Sequence, residues 1–335
     1  MKLNKINLQL FAEANTQTTG TTGLSIEMKT YYSDYLIDNA VPKLVHDQFG
    51  QKHPIPKNGG KTIEFRKYSP LGKLTTPLQE GVTPDGQSLT VTNVTATIAQ
   101  YGGYVTLSDV LLLTAIDNNL VQATKLLGAQ AGATLDTITR EVLNGGTNVI
   151  YSGGVTSRSA LTGGFDEGSD QNCYLTVDDI KKAVRTLKNQ NANKIGDSFV
   201  AIIHPDVAYD LTNDPKWQAP HQYVDTENLY SGEIGRIAGV RFVETTEAKI
   251  WATGGSGQRA VYSTLVLGEN AYGVTEISGG GLEHIVKQLG SAGTSDPINQ
   301  RATVGWKASK VAERLVENFM VRIESCSTFS PTVDN

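Results

Sequence analysis

The chain has 335 residues, of which 39% are hydrophobic and 19% charged, with a formal net charge of -5. That length admits two domains and the hydrophobic content supports a core, while the lack of a Lys/Arg block argues against a reader of nucleic-acid sequence. Two cysteines, Cys173 and Cys326, argue against a disulfide scaffold and for free thiols in a reducing cytoplasm, and no apolar run approaches the ~20 residues of a membrane span.

Lys2 and Lys5 precede Ile6-Asn7-Leu8-Gln9-Leu10-Phe11-Ala12. Asn7 and Gln9 interrupt the continuous apolar region that a signal peptide needs. Ile6, Leu8 and Leu10 instead alternate with polar residues, as in a strand with one apolar face. The expectation is an arm that pairs with something, in a chain that is not secreted. Glu13 to Gly23 reads as an extended linker. Met28 to Phe49 reads as helix, with Tyr32, Tyr35, Leu36, Val41, Leu44 and Val45 as its apolar positions and Pro42 as a break or kink. His53 to Gly60 is a stiff turn region.

Lys61 to Thr106 reads as a long hairpin. Thr62 to Tyr68 is one strand, and Leu89 to Ile98 with Tyr101 to Thr106 form its return. Between them Ser69 to Ser88 carries Pro70, Pro77 and Pro84, three glycines and few large apolar residues. A loop of this length without a core of its own is functional or disordered, and a lone two-stranded hairpin is marginal in water. Either the segment is disordered or it lies on another subunit; its regular β-branched strands favour the second.

Leu107 to Gly146 holds the organising element. After a short turn capped by Ser108, Asp117 caps a helix from Asn118 to Leu143. Leu120, Leu127, Ala131, Leu135, Ile138 and Val142 repeat with the period of one buried face. Asp136 and Arg140, one turn apart, are expected to meet on its outer face. Asn144-Gly145-Gly146 is expected to end it through a left-handed glycine. The Gly128-to-Gly132 spacing predicts that something approaches this helix closely.

Tyr151 to Asn172 is a Gly/Ser loop and a candidate domain boundary. Thr176 to Leu187 is a helix with a capping-box-like Thr176–Asp179 pair. Ser198 to Ile203 is a buried strand, and His204-Pro205-Asp206 turns into a helix through Leu211. Strands follow at Gly239 to Thr245, Arg259 to Leu267 and Tyr272 to Ile277, making a small α/β domain from Leu175 to about Gly281. Leu282 to Leu289 comes next. Val304 onward is helix or strand up to Leu315, then a closing strand to Ile323.

Catalytic and ligand motifs do not assemble. Gly60-Lys61-Thr62 ends like a phosphate loop, but Ile55 stands where that motif needs glycine. Gly254-Gly255-Ser256-Gly257 lacks the last glycine of a dinucleotide fingerprint and reads as a surface turn. His46, His53, His204, His221 and His284 show no metal spacing. Asp178 and Asp179 suit the start of a helix. Trp217, Trp251 and Trp306 are too dispersed for a stacking platform. No catalytic residue, cofactor or metal site is therefore assigned, although glycosidase carboxylates drawn from distant positions are not excluded by spacing.

The order of arm, long hairpin, long helix, α/β domain and return strand resembles a tailed-phage major capsid protein of the Hong Kong 97 fold, an α+β architecture. The segment Thr294-Ser295-Asp296-Pro297-Ile298-Asn299-Gln300-Arg301-Ala302-Thr303-Val304-Gly305-Trp306-Lys307, followed by Met320-Val321-Arg322-Ile323-Glu324, is similar to the close of the N4-like phage major capsid family. The opening Asn7-Leu8-Gln9-Leu10-Phe11-Ala12 resembles the start of capsid proteins from phages of Gram-positive hosts. The resemblance implies an N-terminal arm over 1–60, an extended loop over 61–106 that crosses a neighbouring subunit, and a peripheral domain over 107–174 with the long helix. It implies an axial domain over 175–281 and a return to the peripheral domain over 282–335. Leu8, Leu10, Arg66, Lys73, Pro77, Glu80 and Asp85 are the expected interface residues. Some members cross-link a lysine to a neighbour's asparagine; Lys73 is a donor by position, with no partner or catalytic acid mapped. Implied partners are further copies in hexamers and pentamers, a separate scaffolding protein, a portal protein and packaged double-stranded DNA bound without sequence preference, with no membrane. Two other classes stand beside the phage shell: a cargo-enclosing bacterial compartment of the same fold, and a glycosidase-type enzyme.

Overall fold

The computed structural model describes residues 16–17, 45–56, 60–68, 71–115, 119–162, 173–221, 235–256, 259–275, 282–291, 296–329 and 334–335. The expected arm with Leu8 and Leu10, most of the expected helix 28–49 and the Asp117 cap lie outside them. The end of that expected helix which is described, 45–50, is a turn.

In chain order the strands and helices are β1 (Thr16–Gln17), β2 (Gln51–Lys52), β3 (Thr62–Tyr68), β4 (Val91–Thr97), β5 (Ala99–Ser108), α1 (Asp109–Thr114), α2 (Asn119–Asn144) and β6 (Val149–Tyr151). There follow α3 (Val177–Asn189), β7 (Phe199–Ile203), α4 (Pro205–Thr212), α5 (Pro215–His221), β8 (Arg236–Ile237), β9 (Val240–Glu244), β10 (Ile250–Trp251) and β11 (Val261–Leu267). β12 (Tyr272–Thr275), β13 (Glu283–Lys287), β14 (Arg301–Arg314) and β15 (Met320–Ser325) complete the series. The stretch left open between helix and strand is thus the long strand β14.

The chain divides into two compact units, one of Met1–Lys43, Gln100–Leu135 and Gly279–Lys310, the other of Leu44–Ala99, Asp136–Ser278 and Val311–Asn335. Their boundaries fall inside α2 and inside β14.

In the first unit β5 lies between β1 and β14, and β13 runs antiparallel to β14. This corrects the reading of 101–106 as part of the hairpin. β3 has seven residues, and its ladder with β4 is used up at Thr62↔Thr97, so β5 pairs elsewhere. Ser108 caps α1 by accepting the Leu111 amide at 3.3 Å. On α2, Ala123, Leu127, Ala131 and Leu135 form the buried face. Gln130 accepts a hydrogen bond from the Trp306 indole at 3.2 Å. The close approach expected at Gly128 and Gly132 is absent within the described chain: a Cβ at either would meet nothing within 4 Å.

The second unit is built on a mixed sheet ordered β6-β15-β11-β7-β9-β8, with β10 beside β11. Its central strands β7, β11 and β15 are buried along their whole length; β7 accordingly reads as a continuous apolar run, while β11 and β15 also bury Ser263, Thr264, Arg322 and Glu324. Phe199, Ala201 and Ile203 of β7 pack in one core with Ile180, Ala183, Val184 and Leu187 of α3 and Val207 and Leu211 of α4. Ile202, pointing the other way along the pleat, packs in a second core with Leu143, Leu265 and Tyr272. Thr176 and Asp179 cap α3 reciprocally, with the amide of Asp179 3.3 Å from the Thr176 hydroxyl. His204 caps α4, its ring nitrogen accepting the Asp206 amide at 3.2 Å.

The final turns of α2, residues 136–144, are held by polar contacts, and two sequence expectations are corrected there. Asp136 and Arg140 are 1% and 2% exposed, not an outer-face pair. Asp136 accepts the His46 amide at 2.9 Å and faces the His46 ring at 2.6 Å. Arg140 donates to the Glu247 carbonyl at 2.9 Å and the Asn335 carbonyl at 2.8 Å. Burial pushes the Glu141 carboxyl up, but Lys249 and Arg140 outweigh it and hold the group low. Gly145 and Gly146 are not left-handed. They sit beside two charged side-chain ends: a Cβ on Gly145 would lie 2.9 Å from the Arg314 guanidinium, and one on Gly146 3.3 Å from the Glu317 carboxylate. The helix instead ends on Asn144, whose side chain is joined by the Ser263 hydroxyl at 2.5 Å and whose carbonyl accepts from Arg322.

Ala131→Glu is expected to destabilise the chain by several kcal/mol, because Ala131 is fully buried and the charge would have no partner. A thermal midpoint within a degree or two of the wild-type value would refute this phase for α2.

Candidate assembly surfaces

The hairpin β3–β4 belongs to neither larger sheet. It is a two-stranded ladder from Thr62↔Thr97 to Tyr68↔Val91, closed at its base by the Ile98 amide on the Lys61 carbonyl at 2.9 Å. β3 is anchored through Phe65: a Cβ on Gly273 would lie 3.2 Å from that ring, so glycine is required where the ring seats on β12. His53 stands beside it with ring centroids 6.0 Å apart. Gln51, His53, Phe65, Arg66, Asn270 and Leu315 are among the walls of a groove of about 550 Å³ at this base.

Beyond the base the segment has no cover from the described residues. Every described residue from Leu71 to Val91 is exposed. Arg66, Lys73, Pro77, Glu80 and Asp85 are all on this element and all exposed. The structure brings Arg66 to the base groove and leaves the other four along the loop. Gln87 donates to the Gly72 carbonyl across the loop at 3.0 Å.

The sequence reading undercounted apolar groups here. Leu71, Leu74, Leu78, Val82 and Leu89 are 54–77% exposed, and Tyr68 is 60% exposed. The five aliphatic residues are spaced by three, four, four and seven, as on one helix face. Pro77, Gly81, Pro84 and Gly86 stand among them and break any helix there, so the spacing forms no element and the apolar groups stay uncovered. Contiguous exposed apolar side chains on this scale mark an interaction surface.

A second surface went unread. β13 is exposed along its whole length and pairs with β14 alone among the described strands. Ile285, Val286, Leu282 and Leu289 stand open on it, and in the same unit Leu113 is 82% exposed. An edge strand with open apolar side chains is a pairing site.

Among the described residues no group of His, Cys, Asp and Glu is placed to hold a metal ion, and no helix is long and apolar enough to cross a membrane. Cys173 and Cys326 are buried and not joined in a disulfide. Burial pushes Cys326 up to about 12, which keeps it protonated and unreactive near neutral pH.

The exposed hairpin and the β13 edge are both surfaces suited to contact. Residues 114–278 match the family model described as phage capsid protein. No curated protein matches the sequence. Solved structures do. The capsid of Ralstonia phage GP4 aligns with a TM-score of 0.69 at 14% identity, over 90% of this chain and 96% of that one. The capsid of the cyanophage P-SCSP1u gives 0.66 at 14% identity over 97% and 100%. The cyanophage Pam1 capsid gives 0.63 at 13% identity over 90% and 95%.

The fold is that of a phage capsid protein. It is the Hong Kong 97 type expected above, and with the family match it gives the chain a structural role in the virion capsid.

Phe65→Ala is expected to free the hairpin base while sparing the two cores, because Phe65 belongs to neither. Limited proteolysis should cut within 61–98 several-fold faster, with the thermal midpoint nearly unchanged. Unchanged cleavage would show that Phe65 does not anchor the hairpin.

Proposed function

We propose that this chain is the repeating wall subunit of an icosahedral phage shell, assembled as hexamers and pentamers around double-stranded DNA in the bacterial cytoplasm. A separate scaffolding protein and a portal complete the particle. The carrying observation is the hairpin: its 71–91 segment is exposed throughout and bears six large aliphatic side chains that the described residues leave uncovered. Burying them on a neighbouring copy gains on the order of 25 cal/mol for each Å² of apolar surface removed from water. Repeated over every subunit, modest contacts of this kind close a shell.

On this reading the hairpin is the extended loop, α2 and β14 supply the peripheral domain, and 175–281 is the axial domain. Arg66, Lys73, Pro77, Glu80 and Asp85 meet the neighbour, and the arm with Leu8 and Leu10 adds a further contact. The subunit is a wall element and not an enzyme. The finer place in the N4-like family rests on the closing segment 294–307. DNA inside purified shells, as opposed to protein cargo, separates this reading from a bacterial compartment.

Replacing 69–88 by a tight Asn-Gly turn tests the hairpin. The shortened protein should fold, keep its circular dichroism and stay soluble as monomers or small oligomers, yet close no shells under negative stain. Intact shells would remove the loop from assembly, and unfolded protein would place it in the subunit's own fold.

Deleting Met1 to Ala12 should slow assembly and leave the fold intact. Light scattering at matched concentration checks it, and shell formation at wild-type yield would remove the arm from the interface.

A further inference from the structure

The sequence contains no basic block, but folding makes one. Lys181, Arg185 and Lys188 stand at spacings of four and three on the outer face of α3, so their side chains are neighbours. All three are exposed. With Val184, Asn189 and Ala238 they line a shallow groove of about 410 Å³, and no carboxylate lines it. Ala238 belongs to the β8–β9 turn and takes a left-handed backbone (φ 52°), a conformation that costs a non-glycine residue roughly 1 kcal/mol or more. That turn forms the wall of the groove opposite α3.

Local neutralisation is weak. Asp178 lies 3.7 Å from Lys181 but is also paired with Lys216. Asp179 is taken by Lys182 at 2.9 Å, on the neighbouring row of the helix. Like charges at this spacing repel and destabilise a helix, and Lys188 alone is offset by its place in the last turn. On the same sheet edge Arg236 and Arg241, both exposed, are paired directly across β8 and β9. They alternate with Ile237, Val240 and Phe242, which pack with α3, so they point to the other face, where the Arg241 guanidinium stands 5.8 Å from the Phe49 ring. The charge of the groove is therefore that of Lys181, Arg185 and Lys188, in a chain whose net charge is -5.

We propose that the α3 groove, with Lys181, Arg185 and Lys188, is a phosphate-backbone contact for duplex DNA, independent of base sequence. The three cationic side chains are long and flexible, which suits contact with backbone charge. The choice of DNA as occupant rests on the shell reading, since a phage shell encloses that polyanion. The contact is weak, as a container requires: three cations neutralise about three phosphates and leave the DNA able to slide.

The test uses the full chain as unassembled subunits with a short fluorescein-labelled DNA duplex of mixed sequence, followed by anisotropy across a salt series. Wild type should bind with a log–log salt slope of about -2.7, from about -0.9 per phosphate neutralised. The variant Lys181→Gln, Arg185→Gln, Lys188→Gln should lose most of that slope and weaken binding at low salt by roughly tenfold or more. A charge-matched control, Lys52→Gln, Lys61→Gln, Lys287→Gln, should bind as wild type does. The altered residues are exposed, and circular dichroism confirms folding; should the triple variant misfold, Arg185→Gln alone should lower the slope by about one. Equal binding by wild type and the groove variant, loss in the control alone, or no binding by wild type overturns the proposal. So does a groove that binds polyglutamate and excludes the duplex, which would make the occupant an acidic peptide. Negative stain of the same samples keeps the two readings apart: a groove variant that closes shells but binds DNA normally refutes this site and leaves the shell subunit standing.

Discussion

The buried polar contacts at the end of α2 are what the second unit can least do without. Asp136, Arg140 and Asn144 lie one turn apart and are all buried, and a buried charge without its partner costs on the order of 3–5 kcal/mol. Each therefore dictates what must stand opposite it. Asp136 requires His46, Arg140 requires the 247 carbonyl and Asn335, and Asn144 requires Ser263 and Arg322. These partners come from segments far apart in sequence. An apolar helix end could slide along a sheet by a residue and lose little; this one cannot, because every shift would strand a donor or a charge.

Glu324 extends the same logic into the sheet. It is fully buried on β15 and is gripped by Arg158 through two hydrogen bonds, at 2.7 and 2.6 Å. Arg322 lies 2.8 Å away. The Arg158 guanidinium is in turn stacked 3.6 Å over the Trp251 ring, a geometry in which arginine and not lysine fits. Arg322 serves both Glu324 and the carbonyl of Asn144, so the helix end and the closing strand share one charge.

Periodicity made the elements legible and left the partners hidden. α2, α3, β3, β7, β11 and β15 were readable within a residue or two, since each carries a clear pattern of burial or a cap such as Thr176. Asp136 and Arg140 were misread for the same reason: a charge one turn from an opposite charge is the signature of a solvated helix face, and nothing local reveals a histidine ninety positions away. Gly145 reads as a stop by the left-handed glycine pattern, yet its backbone is not left-handed and the Arg314 guanidinium lies close beside it. β5 was attached to the hairpin because it follows directly in sequence, whereas pairing is decided by where the ladder of β3 runs out. The surfaces were half legible. Lys73, Pro77, Glu80 and Asp85 stand along the exposed loop and Arg66 at its base, yet the leucines around them keep a helical spacing that the prolines and glycines between them cancel, and the β13 edge carries no motif of its own.

The interior and the exposed loop follow opposite physical rules, and a shell subunit needs both. Contacts such as His46–Asp136 are few, directional and expensive to break, which makes the subunit one shape. Leu71, Leu74, Leu78 and Val82 are apolar and non-directional, and they stand on a segment with little secondary structure to constrain it. Such groups can be buried against surfaces that differ slightly from one place to another. In the shell proposed above the same chain would stand around five-fold and six-fold centres, so its contacts would have to tolerate a change of angle that the interior must not feel. A loop rich in glycine and proline, anchored at Phe65 and apolar beyond it, meets that requirement; a loop held by buried ion pairs would fix one angle and exclude the other.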